Sequence, residues 1–429
     1  MKTIYYPEKN NWDTLCIRPE IDKTNLEEAV KEIINRVKSE KDKAIYYFSE
    51  KFDGISRGSL KVSQDEIRQS IVQVPDDLKN AINIAKANIE NFHSSQLIKE
   101  PVIETIKGVK CWRKSVPIQK VGLYIPGGSA PLFSTVLMLG IPAKLAGCDE
   151  IILCTPSGKD GKVNPLILYT AHLTGITEIY RIGGAQAIAA MAYGTESVPK
   201  VYKIFGPGNQ YVTKAKELVQ QDGISIDMPA GPSEVLIIAD ESANPEFIAA
   251  DLLSQAEHGS DSQVIMLTDN QVLIDKVKSE VEKQVQILPR KDIALKALEN
   301  SMLILLTSLD DCVSFSNSYA PEHLIINSLY ATLLSGKITN AGSVFLGNFS
   351  CESAGDYATG TNHTLPTNGF AKSYSGVSTD SFLKKISFQE VNQEGIKNLG
   401  PTIELMAEAE SLNGHKNAVS LRLKSLRNV

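Results

Sequence analysis

Apolar residues near the start of the chain recur every three to four positions, the spacing of one face of an α-helix. The first such run consists of Leu26, Val30, Ile33, Ile34 and Val37. A further helix is predicted to begin at Ser63, because a serine followed three residues later by a glutamate, here Glu66, is the capping-box pattern. The N-terminal part of the chain is therefore predicted to be helical and amphipathic.

From about residue 120 the pattern changes to short apolar runs that alternate with helical stretches. Four runs come first, at Val121–Ile125, Glu150–Cys154, Glu178–Ile182 and Lys203–Phe205. Four more follow at Glu234–Ala239, Gln263–Thr268, Met302–Thr307 and Ser343–Leu346. Strands that alternate with helices are typical of βαβ units around a mainly parallel sheet. The pattern therefore predicts an α/β fold with two such sheets.

The C-terminal tail, from about residue 379, has a different pattern of residues. It is charged and mostly helical in spacing, and it offers no strand-rich segment that could build a core of its own. We therefore expect the tail to pack on something else, and a partner subunit is one candidate.

Composition narrows the class of protein. With 429 residues and 42% hydrophobic content, at least two domains are expected. The net charge of −6 and the absence of clustered lysines argue against nucleic-acid binding and favour a small-molecule partner. The six cysteines show no C-x-x-C spacing, which indicates reduced thiols. Because no apolar run is long enough for a membrane span or a signal peptide, we expect a soluble cytoplasmic protein.

Glycine-rich loops follow several of the predicted strands, at 124–129, 183–186, 205–209 and 229–233. One such loop alone is more often an ordinary turn than a ligand site. Four of them in one βα region favour a nucleotide or phosphate cradle built from backbone N–H groups. The G-x-G-x-x-G fingerprint of dinucleotide-binding folds is not present.

Histidines and carboxylates indicate a candidate metal site. Gln255 and His258 are three residues apart near the end of a predicted helix, and so share one face. Asp356, His363 and His415 lie in polar, Gly- or Ser-containing settings. Each residue alone has an ordinary structural explanation; Asp356 could equally form an Asx-turn. Together they offer a mixed nitrogen and oxygen shell, which suits Zn²⁺ and also Mn²⁺ or Co²⁺.

Glu322 and His323 form a different kind of candidate. Adjacent side chains seldom bind one metal, so a general acid–base pair is the favoured interpretation. Two other functional classes remain open at this point. One is a zinc hydrolase with Glu322 as general base, although H-E-x-x-H is absent. The other is a non-catalytic protein stabilised by metal, although structural sites usually favour cysteines and no cysteine clusters with these histidines.

Seven motifs spread over nearly the whole chain resemble the histidinol dehydrogenase family and occur in its order. They are VGLYIPGGSAP from Val121, GGAQAI from Gly183, FGPGN from Phe205, DMPAGPSE from Asp227, LSQAEHG from Leu253, GSVFLG from Gly342 and SAGDY from Ser353. Such a series of long matches makes a chance resemblance very improbable.

The resemblance implies a role for individual residues. The implied zinc ligands are Gln255, His258, Asp356 and His415. The implied catalytic pair is Glu322 and His323. The implied substrate contacts are Ser233, His323, His363 and Glu410, together with the metal ligands. The implied cofactor contacts are Tyr124, Gln186 and Asn209.

The resemblance also implies a reaction and an architecture. L-histidinol would be oxidised through L-histidinaldehyde to L-histidine with reduction of two NAD⁺, the last steps of histidine biosynthesis, with one Zn²⁺ per subunit. Another amino alcohol or a sulfonate is an alternative substrate, against which His363 and Glu410 argue. A homodimer is implied, in which swapped tails bring Glu410 and His415 to the partner's site.

The implied fold has two incomplete Rossmann-like domains with mainly parallel sheets and helical extensions at both ends. Residues 1–23 form the N-terminal extension. Residues 24–123 and 235–376 form the larger α/β domain, which carries the metal and catalytic residues. Residues 124–234 form the NAD-binding domain, and residues 377–429 form the tail.

Overall fold

The computed structural model describes residues 1–19, 25–54, 58–127, 131–229 and 231–427. Within these ranges the strands are β1 Lys2–Tyr5, β2 Ile103–Ile106, β3 Val109–Pro117, β4 Lys120–Tyr124, β5 Glu150–Thr155, β6 Glu178–Arg181, β7 Lys203–Phe205, β8 Ser225–Ile226, β9 Glu234–Ala239, β10 Gln263–Thr268, β11 Met302–Leu305, β12 His323–Asn327, β13 Ser343–Leu346 and β14 Leu383–Val391.

The α-helices in the same ranges are α1 Trp12–Leu15, α2 Leu26–Glu40, α3 Asp42–Asp53, α4 Gln64–Gln73, α5 Asp76–Ser94, α6 Phe133–Ala146, α7 Pro165–Leu173, α8 Gly184–Tyr193, α9 Gln210–Gln221, α10 Pro245–Ala256, α11 Gln271–Gln284, α12 Lys291–Glu299, α13 Leu309–Tyr319, α14 Ala331–Ser335, α15 Glu352–Tyr357, α16 Gln393–Ala409 and α17 Asn413–Ser425. None of these helices is long and apolar enough to cross a membrane.

The larger sheet has six parallel strands in the order β1-β11-β10-β9-β12-β13. Its central strands β9 and β10 are buried along their whole length. A parallel strand that is covered by helices on both faces is a continuous apolar run in the sequence. These strands could be predicted for that reason. β12 was not predicted; its three apolar residues lie between the polar residues His323 and Asn327.

The second sheet has five parallel strands in the order β6-β5-β4-β7-β8. The chain starts at β4, moves outward through β5 and β6, and then returns to the other side of β4 with β7. A crevice forms at the carboxyl ends of the strands where this direction reverses, and ligands of doubly wound sheets bind there. The predicted α/β class with mainly parallel sheets is confirmed.

A small antiparallel sheet joins the tail to the middle of the chain. β14 pairs with β3 over nine residues, from Leu383 opposite Pro117 to Val391 opposite Val109, and β2 pairs with the other edge of β3. The tail, expected to be mostly helical, therefore also contains one strand, while the helices α16 and α17 that follow agree with its helical spacing. β14 is almost wholly exposed, so it lacks the buried run that marks a strand in sequence.

The N-terminal helices form as predicted. All five apolar residues of α2 are buried, and they share one hydrophobic core with α8 and strands of the five-stranded sheet. The capping box of α4 is complete, since the Ser63 hydroxyl accepts from the Glu66 N–H while the Glu66 carboxylate accepts from the Ser63 N–H. The division of the chain into the domains given above stays a prediction.

A buried ion pair attaches the N-terminal segment to the larger sheet. Arg18 donates to both carboxylate oxygens of Glu234 at 2.9 and 3.0 Å, and also to the Tyr319 carbonyl at 2.8 Å. Its guanidinium lies 3.5 Å from the centroid of the Tyr319 ring. The pair fixes the beginning of β9, since Glu234 is the first residue of that strand.

Replacing Arg18 by methionine should lower the free energy of unfolding by about 3–5 kcal/mol, because a buried carboxylate loses its cation. The control is Lys31→Met, which removes an exposed ion pair with Glu27 and should cost at most about 1 kcal/mol. Urea denaturation followed by circular dichroism measures both. Equal effects of the two substitutions would contradict a special role for the Arg18–Glu234 pair.

Candidate functional site

The predicted catalytic and metal residues meet at the amino ends of two neighbouring strands. β9 and β12 pair directly, with His323 opposite Val235. Helix α10 follows β9 and runs back along the sheet, as the helix of a βαβ unit must. Its last turn, with Gln255, therefore reaches the edge where Glu322 and His323 lie, and His258 follows just beyond it.

A chain of polar contacts links Gln255, His323 and Asp356. The Gln255 Nε2 atom lies 2.8 Å from His323 Nδ1, and His323 Nε2 lies 3.3 Å from Asp356 Oδ1. The other amide atom, Gln255 Oε1, is buried and has no hydrogen-bond partner among the described residues. A buried acceptor without a partner is costly, so this oxygen is available to a cation or a donor of a ligand.

Two further donor groups, His258 and Glu352, converge on Asp356. One ligand atom from each of His258, Glu352 and Asp356 lies within 4.8 Å of the others. Glu352 was not predicted, although its spacing of four residues from Asp356 places both carboxylates on one face of α15. That i, i+4 pair of acids beside a histidine was the signal in the sequence that could have revealed it.

The donor set of this cluster fits a divalent metal ion. It contains an amide oxygen, an imidazole and carboxylates, the mixed shell that Zn²⁺, Mn²⁺ and Co²⁺ accept. The unpartnered oxygen of Gln255 is the observation that supports this fit most directly, because neighbouring protein groups leave it free. Gln255, His258 and Asp356 are the residues that would hold the ion.

His363 connects the cluster to the second sheet. Its Nδ1 lies 2.9 Å from the Asp356 carbonyl, and its Nε2 lies 3.1 Å from the Thr135 hydroxyl. Thr135 belongs to α6, which packs on the five-stranded sheet, and it was not predicted as a site residue. Ser233 immediately precedes β9, so it lies at the same edge as the cluster.

Burial and charge act in opposite directions on the Glu322–His323 pair. Burial raises the pKa of Glu322, whose Oε2 accepts from the Glu234 N–H at 2.9 Å. Burial lowers the pKa of His323, but the nearby carboxylates of Glu322, Glu352 and Asp356 outweigh it and raise that pKa well above the ordinary value. For Asp356 burial raises the pKa, and His323 more than reverses the effect. The pair thus holds exchangeable protons in a buried site.

Glu410 and His415 lie away from this cluster. Glu410 caps the end of α16 and His415 lies in the first turn of α17, and both are exposed. Among the described residues, no hydrogen bond or ion pair joins either of them to the cluster. The chain therefore brings together six of the predicted residues, which are Gln255, His258, Glu322, His323, Asp356 and His363, and leaves these two outside.

The three predicted cofactor residues line one cleft of about 970 Å³. Tyr124, Gln186 and Asn209 lie at or after the carboxyl ends of β4, β6 and β7. The Tyr124 hydroxyl accepts from the Gly184 N–H at 3.0 Å, at the start of α8. Gly206 has φ of +127°, and a Cβ there would overlap the Tyr124 carbonyl, so only glycine fits. Residues 128–130 of the first glycine-rich loop and residue 230 of the last lie outside the described residues.

Three comparisons agree with the resemblance seen in the sequence. A family model described as histidinol dehydrogenase matches residues 16–423. The chain is 57% identical over 427 residues to a histidinol dehydrogenase of Bacteroides fragilis strain YCH46, with all of both chains covered. It is 52% identical to one of Aliivibrio fischeri over 99% of this chain and 97% of the relative. A crystal structure of histidinol dehydrogenase from Elizabethkingia anophelis is 58% identical, with a TM-score of 0.98 over 100% and 99% of the two chains.

Zinc should stabilise the metal-free protein against urea by about 2.7 kcal/mol at a free concentration a hundredfold above its dissociation constant. Replacing Asp356 by asparagine should remove most of this gain, because it deletes a charged ligand. Glu246→Gln, which changes an exposed carboxylate at the other end of α10, should keep it. The same gain in the Asp356 variant as in the unmodified protein would show that zinc binds elsewhere.

Proposed function

The chain belongs to the histidinol dehydrogenase family, and on that basis we propose that it oxidises L-histidinol to L-histidine through L-histidinaldehyde with reduction of two NAD⁺. The observation that carries the proposal is the match over the full length together with a buried Glu322–His323 pair beside a cluster of metal-binding groups. The reaction belongs to the last steps of histidine biosynthesis, and we expect it to take place in the cytoplasm.

One Zn²⁺ per subunit is the proposed metal, held by Gln255, His258 and Asp356 and by the partner subunit's His415. When bound, the ion supplies a template that orients the imidazole and amine of the substrate. The substrate also contacts Ser233, His323 and His363, and Glu410 of the partner subunit.

His323 is the proposed base of the first oxidation. The alcohol carbon gives a hydride to NAD⁺, and the hydroxyl proton goes to the imidazole, which leaves the aldehyde. To act as a base, His323 must be unprotonated. In the protein without a ligand, the nearby carboxylates favour its protonated form, because they raise its pKa. Asp356, whose Oδ1 lies 3.3 Å from His323 Nε2, would hold the metal, and the charge of a bound cation would lower the pKa of His323 so that this residue could accept the hydroxyl proton.

Glu322 is the proposed base of the second oxidation. It removes a proton from the water that adds to the aldehyde, and the resulting hydrate gives its hydride to a second NAD⁺ and ends as the carboxylate. The Glu322 carboxyl is almost fully buried and is held by the Glu234 N–H. The raised pKa that burial gives this carboxyl makes it a stronger base than an exposed one.

The proposed dinucleotide site is the cleft of the five-stranded sheet, with contacts to Tyr124, Gln186 and Asn209. The N-terminus of α8 opens into this cleft and offers backbone N–H groups to the pyrophosphate. We propose that residues 124–234 form the NAD-binding domain and that 24–123 and 235–376 form the larger domain. Residues 1–23 and 377–429 are the proposed extensions.

A homodimer with exchanged tails is the proposed assembly. Helices α16 and α17 and the turn between them carry several exposed large apolar side chains, namely Leu405, Met406, Leu412 and Leu421. Apolar patches of this kind usually mark an interface. Exchange of the tails would cover them and would bring Glu410 and His415 to the cluster of the other subunit.

The stoichiometry of NADH tests the proposed reaction. The purified protein should form two NADH per L-histidinol, lose this activity on chelation and regain it with zinc, as followed by absorbance at the NADH band. One NADH per substrate would indicate a simple alcohol dehydrogenase. No NADH from the metal-loaded dimer would contradict the proposal.

Mixing two inactive variants tests the shared site. A His415→Asn chain and a His323→Ala chain should regain partial activity after subunit exchange, because one of the two sites in the heterodimer has every residue intact. A mixture of His323→Ala with Glu322→Gln is the control and should stay inactive, since both changes lie in the same part of each subunit. Lack of rescue after confirmed exchange would count against exchanged tails.

A further inference from the structure

We propose that Glu352 is an additional metal ligand, which binds the ion from within one chain as long as the partner's His415 has not reached the site. The inference rests on the proposed function, because it assumes the metal site described above. The proposed reaction gives no role to the buried carboxylate of Glu352, and metal binding would be that role.

Glu352 is buried without a charged partner. Only 1% of its surface is exposed, and its carboxylate accepts one hydrogen bond from the Ser254 hydroxyl at 3.5 Å. No lysine or arginine in the described part of the chain forms an ion pair with it. Burial of an ionised carboxylate is costly unless a cation or several hydrogen-bond donors compensate. In the described part of the chain, no lysine or arginine therefore balances the charge of this carboxylate.

Further acidic side chains near Glu352 add to the negative charge of this buried region. Asp251, one turn before Gln255 on α10, is also buried and lacks an ion pair among the described residues. Glu322 and Asp356 are close enough to interact electrostatically with Glu352. Four acidic side chains thus surround a small region whose basic neighbours in the described part of the chain include His258, His323 and Arg290, which donates to the His258 carbonyl at 3.4 Å. A divalent cation would compensate this charge far better than water can in a buried site.

The geometry favours direct binding by Glu352. Its carboxylate lies with ligand atoms of His258 and Asp356 in a group no wider than 4.8 Å, which one ion with bonds of about 2.0–2.2 Å can bridge after small side-chain rotations. With Gln255, which the family resemblance implies as a ligand and whose Oε1 has no hydrogen-bond partner among the described residues, a single chain would offer four donors. Four is the number that a tetrahedral Zn²⁺ site needs, and His415 is not among them.

A purely structural role for Glu352 predicts a different behaviour. If its contact with Ser254 or its position in the first turn of α15 stabilised the fold, replacement by glutamine would destabilise the metal-free protein. If Glu352 serves the metal, the same replacement removes an uncompensated buried charge. The metal-free protein should then be as stable as before, or more stable.

The test measures zinc affinity and metal-free stability in the full-length chain. Zinc affinity is measured by competition with a chromogenic chelator for the unmodified protein, His415→Asn, Glu352→Gln and the double variant, with Glu246→Gln as control. We expect Glu352→Gln to weaken zinc binding about tenfold or more in the His415→Asn background, and less where His415 is present. The midpoint of urea unfolding of the metal-free protein should not fall.

Two results would overturn the inference. One is zinc binding in the double variant within about threefold of His415→Asn alone, a difference well below the loss expected for a ligand. The other is a metal-free double variant that unfolds at clearly lower urea than His415→Asn, which would indicate a structural role. If the glutamine variant does not fold, Glu352→Asp replaces it. The visible absorption of the Co²⁺-loaded protein should then change between His415→Asn and its Glu352→Asp derivative, and an unchanged spectrum would refute direct binding.

The outcomes also separate this inference from the proposed function. If the unmodified protein binds no zinc, the proposed metal site and the role of Glu352 both fail. If it binds zinc and Glu352→Gln changes nothing in the His415→Asn background, only the role of Glu352 fails.

Discussion

The first residue of β9, Glu234, connects the fold to the site. Its carboxylate accepts from Arg18 and from the Asn368 N–H at 2.8 Å, which ties two distant loops to the sheet. Its N–H holds the Glu322 carboxylate, and its carbonyl lies 3.1 Å from His323 Nδ1. One residue thus sets the position of both catalytic candidates through backbone atoms, and a single buried arginine keeps that residue in place.

The cluster next to Glu234 is electrostatically unbalanced in the protein without a ligand. Burial raises the pKa of Glu352 to about 8, although His323 opposes the rise, and burial raises the pKa of Asp251 to about 7. A fold selected only for stability would replace such groups with apolar residues or pair them with lysine or arginine. Their presence is best explained by a positively charged ligand, and the proposed metal together with the amine of the substrate supplies that charge.

The sequence predicted the parts of the fold in which each segment carries its own signal. The parallel strands are continuous apolar runs because both faces of each sheet are covered, and α2 shows its buried face at helical spacing. β12 and β14 were missed, the first because it begins with the polar His323 and the second because its side chains are largely exposed. No local pattern could reveal the partnership of Arg18 with a residue 216 positions away.

The candidate site was more predictable from motifs than from chemistry. Spacing alone suggested Gln255 and His258, whereas the resemblance to a family supplied the roles of Tyr124 and Gln186. Glu352 was not predicted, although it shares one face of α15 with Asp356. The place of His415 depends on contacts beyond one chain, since in this chain it is exposed on α17. A single sequence carries no geometric signal for such a contact.

The central claim is that the groups at the amino ends of β9 and β12 form one metal centre that is completed by a second subunit. Anomalous diffraction at the zinc absorption edge, from crystals of the zinc-loaded protein, tests this claim most directly. The account predicts one peak per subunit within bonding distance of Gln255, His258 and Asp356, with the partner subunit's His415 beside it. A peak elsewhere, or a shell completed by His415 of the same chain, would contradict it.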